Sequence, residues 1–170
     1  MLNIVLEDLT FNDKLKTFFS DQNFTPENGK VYQTLGIIGC QSSGKSTLLN
    51  HLFDTNFEIM SDDKGITQTT KGIWISLNKE FNTIIFDVEG TDSKERGDER
   101  FKFEQCSSLF TLAMCDVLMI NMWTSDIGRY TASNYGVLKV VFEQNLKLFQ
   151  QESEKKIVFV LRDFDSNLED

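Results

Sequence analysis

The chain has 170 residues, 17 basic against 26 acidic side chains for a net charge of −9, and 40% hydrophobic residues. That length supports one domain with a real core. The acidic balance argues against a broad nucleic-acid or anionic-membrane surface, because either needs a net basic face, so an anionic ligand must be held by a local site. One proline, no internal repeat and no low-complexity tract leave no linker along which to divide residues 1–170.

The first residues, "MLNIVLEDLTFNDK", carry acids and no basic n-region, so no signal peptide is read. Phe11 to Asp21 has Leu15, Phe18 and Phe19 on one side of an amphipathic helix, with Asn12 or Asp13 as its cap. Asp21 to Lys30 is polar, holds Pro26 and Gly29, and reads as a loop. Thr34 to Gly39, "TLGIIG", is a short apolar run, the pattern of a buried strand. Lys45 to Phe53 follows as a helix with Leu48, Leu49 and Leu52 facing inward. Asp54 to Lys71 is a long surface loop, and loops of that length are often functional.

"GIWISL" and "NTIIFDV" flank a polar tetrapeptide and predict a hairpin. Gly90 to Arg100 is again charged and loop-like. "FEQCSSLFTLAM" suits a helix, Asp116 to Trp123 a buried strand, Asn134 to Phe149 a helix, and Lys156 to Asp163 a final buried strand. The longest apolar run, Leu109 to Trp123, is broken by Asp116 and is too short to span a bilayer, so no direct membrane insertion is expected and the chain reads as soluble and cytoplasmic. Cys40, Cys106 and Cys115 match no metal spacing and read as reduced thiols. Strands alternating with helices predict an α/β fold: a mostly parallel, doubly wound sheet with helices on both faces and its ligand at the carboxyl ends of the strands.

Four motifs fall at such ends. Gly39-x-x-x-x-Gly44-Lys45-Ser46 satisfies the P-loop pattern between a strand and a helix. Its glycines let backbone N–H groups turn inward on phosphate oxygens, and the helix start adds positive field. Lys45 supplies a point charge between the β- and γ-phosphates, and Ser46 a hydroxyl for Mg²⁺. The expected nucleotide-binding run is Gly39, Gln41, Ser42, Ser43, Gly44, Lys45, Ser46 and Thr47.

Asp87-Val88-Glu89-Gly90 closes an apolar strand, where Asp87 can hold the metal's shell and the Gly90 N–H can reach the γ-phosphate. In Gln68-Thr69-Thr70-Lys71, Thr70 is favoured over Thr69 as a metal and γ-phosphate ligand because it abuts the next strand. Arg162-Asp163 ends the last strand, and a carboxylate there accepts from N1 and N2 of guanine, a donor pair adenine lacks.

"GCQSSGKSTLLNHLFDTNF", "QTTKGIW", "DVEGTDSKERGDER" and "MINMWTSDIGR" together resemble the Sey / Root Hair Defective branch of the atlastin-like dynamin-superfamily GTPases, from about Leu35 to Asp163. That group is known for an Arg-Asp base reader in place of Asn-Lys-x-Asp. The resemblance implies a P-loop GTPase with Mg²⁺ and GTP, on the cytosolic face of the endoplasmic reticulum, whose GTPase domains form a homodimer when nucleotide-loaded and drive membrane fusion. It assigns Lys45 and Ser46 to the P-loop, Thr70 to the first switch, Asp87 and Gly90 to the second, and Asp163 to base reading.

Two departures stand out. Atlastins place an arginine finger in the P-loop, where this chain has Ser42; Arg96, Arg100 and Arg129 are the candidate replacements, and each is equally well read as a solvated loop charge. After Asp163 only "FDSNLED" remains, whereas the family's fold continues with a further strand and helix, a helical bundle and a membrane anchor. The chain is therefore expected to be a partial GTPase domain, with an unprotected sheet edge at its last strand. Two other readings stay open: a catalytically silent nucleotide-binding and pairing module, and an ATP-using P-loop kinase, against which Arg162-Asp163 and the long first loop speak.

Overall fold

The computed structural model describes residues 1–22, 32–59, 70–91, 100–128 and 155–163, together with Lys139 and Glu143. Along the chain run β1 (Leu2–Val5), α1 (Leu15–Asp21), β2 (Gln33–Gly39), α2 (Lys45–Phe53), β3 (Ile73–Asn78), β4 (Thr83–Val88), α3 (Arg100–Met114), β5 (Val117–Trp123) and β6 (Lys156–Arg162). The six strands form one sheet in the order β1-β3-β4-β2-β5-β6. The β4–β2, β2–β5 and β5–β6 pairings are parallel; β1–β3 and β3–β4 are antiparallel, the second being the expected hairpin. Except for Lys139 and Glu143, the expected helix from Asn134 to Phe149 lies outside the described residues.

The apolar runs are continuous because the central strands bury both faces. Successive residues split between two cores. Ile38, Phe86, Leu118 and Ile120 join Leu112 of α3 and Cys115 just after it, with Leu15, Phe18 and Phe19 of α1 packed alongside. Ile37, Ile85 and Met119 meet Leu49 of α2 and Phe57 on the opposite face. Helices thus cover both faces, as the alternation of elements predicts.

Several expectations change in detail. β1 was not foreseen; it extends the sheet beyond the hairpin. The first helix begins at Leu15 rather than Phe11, with no side-chain cap hydrogen bond at its Lys14 N-cap. Asn12 instead accepts from the Lys14 N–H at 3.0 Å and donates to the Asn3 carbonyl at 2.8 Å, folding the connection back on β1. Leu52, expected inward, is 52% exposed, while Leu48, Leu49 and Phe53 of α2 face the core.

The largest correction is β6. Read as a buried strand, it leaves Val158, Phe159 and Leu161 exposed and stands at the end of the described sheet, bonded only to β5. The expected sheet edge at this last strand is present, and that edge position, not the apolar composition, sets its burial.

Candidate functional site

β2 ends at Gly39, and the chain curls through Cys40–Ser43 into α2. Ser42 and Gly44 have φ of +58° and +79°, so the turn alternates hand and aims consecutive N–H groups at one point. Gly44, left-handed at the N-cap of α2, carries no Cβ into the space taken by the Arg162 guanidinium. The loop is tied to the end of β4 by two backbone bonds, Gln41 N–H to the Thr91 carbonyl at 2.9 Å and Thr91 N–H to the Gly39 carbonyl at 3.0 Å. Gly90 lies directly against the Gln41 backbone. A cavity of about 290 Å³ opens here, lined by Gln41, Ser42, Gly44, Lys45, Ser46, Thr47, Thr70 and Gly90, with Glu58 and Ile59 on its rim.

Three oxygens converge beside it. Ser46 Oγ donates to Asp87 Oδ2 at 2.6 Å and lies 3.1 Å from Thr70 Oγ1, which donates to the same carboxylate oxygen at 3.3 Å. The other oxygen, Asp87 Oδ1, is buried and has no hydrogen-bond partner among the described residues. Burial raises the Asp87 carboxyl above its ordinary pKa, with Lys45, Ser46 and Thr70 pulling the other way. Lys45 is likewise buried, its pKa lowered by desolvation against the charges of Asp87 and Glu89, and its Nζ donates to the Cys40 carbonyl at 2.9 Å.

A buried, unsatisfied carboxylate oxygen is costly unless something takes its lone pairs. Two hydroxyls and one carboxylate are the hard oxygen donors that suit Mg²⁺, which keeps several waters and uses few protein ligands. Among the described residues no group of three or more His, Cys, Asp or Glu gathers, so a softer-ligand or multi-carboxylate centre finds no support there.

Other expected residues take different places. The Ser43 side chain turns inward, its Oγ donating to the Cys40 carbonyl at 2.8 Å. Arg162 reaches the phosphate loop: Nη1 donates to the Ser43 carbonyl at 2.7 Å, and its guanidinium stands 5.9 Å from the Trp123 ring centroid. Asp163, at φ +55°, is exposed just past β6. Arg96, Arg129 and Thr69 lie outside the described residues, as does the Arg100 side chain at the start of α3.

Two functional residues were missed. Asn121, fully buried on β5, donates to the Ser43 carbonyl at 2.9 Å and to Ser43 Oγ at 2.8 Å, so it braces the phosphate loop from the sheet. Glu89, also buried, accepts from the Gly72 N–H at 2.7 Å. The available signal was a lone polar residue inside an apolar strand ("LMINMW") and a carboxylate beside the Asp87 turn; buried polar groups demand partners.

The comparisons with known proteins agree with this geometry. Residues 38–169 match the family profile described as "Root hair defective 3 GTP-binding protein (RHD3) GTPase domain". The chain belongs to this family of GTPase domains.

Relatives include Protein SEY1 homolog 2 of Entamoeba histolytica, 46% identical over 164 residues, covering 95% of this chain and 20% of that one. Protein SEY1 homolog 1 of Trichomonas vaginalis is 56% identical over 137 residues, covering 79% and 17%. Protein SEY1 of Podospora anserina is 42% identical over 179 residues, covering 98% and 21%. The chain spans about a fifth of the length of these relatives. Among solved structures, an Aquifex aeolicus Era variant bound to GDP.AlF4- aligns at 19% identity and TM-score 0.46, over 78% of this chain and 52% of that one. Among the described residues no helix is long and apolar enough to cross a membrane.

Proposed function

We propose that this chain binds GTP with Mg²⁺ in the cavity beside Lys45 and hydrolyses it to GDP and phosphate. We further propose that it does so as part of an atlastin-like GTPase at the cytosolic face of the endoplasmic reticulum, where nucleotide-loaded GTPase domains pair in homotypic membrane fusion. The observation that carries the nucleotide reading is the buried Asp87 Oδ1, unpartnered among the described residues and set beside the Ser46 and Thr70 hydroxyls under a phosphate loop.

Ser46, Thr70 and Asp87 would hold the metal, which when bound neutralises charge on the phosphate oxygens. The chain's own contribution is positioning and field. The inward N–H groups of Gln41 to Ser46 and the start of α2 face the phosphates. Lys45, buried and so poorly screened, interacts more strongly with them than it would in water. Gly90, held against the Gln41 backbone and lining the same cavity, would offer its N–H to the γ-phosphate. Asp163 accepts from the guanine edge. The membrane role rests on the family and on its SEY1 relatives.

The test is phosphate release from GTP with Mg²⁺, measured for the parent and for Lys45→Ala. Loss of one preorganised charge at a developing oxyanion costs about 10²–10³-fold, so turnover in Lys45→Ala is expected to fall by that order. Nucleotide binding without turnover in the parent would support the silent pairing module instead. ATP bound as tightly as GTP would remove the guanine assignment.

A further inference from the structure

Of the three oxygens that converge at the site, the Thr70 hydroxyl stands just before β3, outside any helix or strand. Its place is fixed by the two residues that follow. The Lys71 carbonyl accepts from Trp74 Nε1 at 2.9 Å and from Asn3 Nδ2 at 3.2 Å. The Gly72 N–H donates to the buried Glu89 carboxylate at 2.7 Å, and the Gly72 carbonyl accepts from the Glu89 N–H at 2.8 Å. Gly72 has φ +77°, and a Cβ there would collide with the Val5 carbonyl. A further contact, Lys71 Nζ to Glu7 Oε1 at 3.4 Å, joins two half-exposed side chains and contributes little.

Half of this clamp is β1. Asn3 and Val5 stand opposite Trp74 and Ile73 of β3, with a register shift between them, which places one side-chain donor and one carbonyl against Lys71 and Gly72. Met1, just before β1, lines a small cavity together with Thr70, Trp74 and Asp87. None of these N-terminal residues falls within the 38–169 segment that the family profile matches.

We infer that β1 is a positioning element of the site: Asn3 holds the Lys71 peptide so that the Thr70 hydroxyl stays beside Ser46 and Asp87, and this favours the triphosphate over the diphosphate. The inference rests on the reading of the cavity as a GTP·Mg²⁺ site. The physical reason is preorganisation. A Thr70–Gly72 stretch already held in place spares those residues the entropy of ordering when a γ-phosphate is bound. A diphosphate has no γ-phosphate for Thr70 to meet and gains nothing from the clamp.

The test uses the full chain and its Asn3→Ala variant, with binding of a non-hydrolysable GTP analogue and of GDP measured in Mg²⁺. Loss of one hydrogen bond to this stretch is expected to weaken the analogue about 3–10-fold and to leave GDP within about twofold. A merely structural role would weaken both alike, and that result, or an unchanged ratio, overturns the inference. Should Asn3→Ala be too unstable to assay, Asn3→Thr repeats the test with a residue suited to a strand. A parent that binds neither nucleotide overturns the GTP reading itself; a parent that binds both, with an unmoved ratio in the variant, overturns only the role of β1.

Discussion

The two ends of the proposed nucleotide site are built on opposite principles. At the phosphate end, Lys45, Ser46, Thr70 and Asp87 come together at the carboxyl ends of β2 and β4, in the middle of the sheet, with Lys45 and Asp87 buried. At the proposed base end, Asp163 is exposed just past β6, which among the described strands pairs with β5 only. The first gains strength from exclusion of water, because charges there are poorly screened. The second must work in solvent, where a carboxylate's hydrogen bonds are worth less. Phosphate grip should therefore carry affinity and turnover, while base recognition adjusts affinity alone.

The sharpest way to break this contrast is Asp87→Asn. With excess Mg²⁺ and GTP, losing the metal-facing carboxylate is expected to cut turnover by about 100-fold or more. Without ligands the same change should stabilise the fold. Burial raises the Asp87 pKa, so the folded chain holds that proton more tightly than the unfolded chain. The group's stabilising contribution is then complete below the ordinary carboxylate value near 3.8 and is lost as pH rises through the folded pKa. Asparagine is neutral throughout and escapes that loss. Thermal melts of ligand-free protein should show the variant's advantage widening from acid toward neutral pH, and Mg²⁺ with GTP should reverse its sign. A variant no more stable than the parent at neutral pH would mean that Asp87 is not a desolvated charge.

At the other end, Asp163→Asn is expected to weaken GTP about 10-fold, the cost of leaving guanine donors without their acceptor. Because the phosphate end is untouched, turnover at saturating GTP should stay near the parent value. The effect then falls on KM and not on kcat. A large fall in kcat would show that the exposed end reaches the chemistry, and the contrast between the two ends would fail.

That asymmetry also governs how much was legible beforehand. α2 was read to the residue because Gly44-Lys45-Ser46 and the leucine stripe are local signals, and β2 and the β3–β4 hairpin came within a residue or two for the same reason. β1 was missed because Leu2–Val5 is a four-residue run with no turn signal before it, and only pairing with β3 makes it a strand. β6 was expected both as a buried strand and as an unprotected sheet edge; it stands at the end of the described sheet, and its exposure follows from that edge position and not from its apolar content. Within the site, Lys45, Ser46, Thr70 and Asp87 followed from motif chemistry. Asn121 and Glu89 did not, because their partners, Ser43 and Gly72, are 78 and 17 residues away in sequence.

The smallest expected effect bears on how the two ends communicate. The Ser43 carbonyl accepts from both Arg162 at 2.7 Å and Asn121 at 2.9 Å. Arg162 is the neighbour of Asp163, the proposed base reader, whereas Asn121 belongs to the buried sheet. Arg162→Ala removes one of two donors to a carbonyl that keeps the other, so GTP and GDP should each weaken only about 2–5-fold. Asn121→Ala should cost more, because it also strips Ser43 Oγ of a donor in a buried setting. In the double variant the carbonyl loses both donors at once, and residues that share a partner are not additive. Losses in nucleotide affinity that exceed the sum of the single variants would place Ser43 as the mechanical link between base and phosphate recognition. Strict additivity would instead mean that Arg162 serves Trp123 and the strand end, and that the two ends of the proposed site act independently.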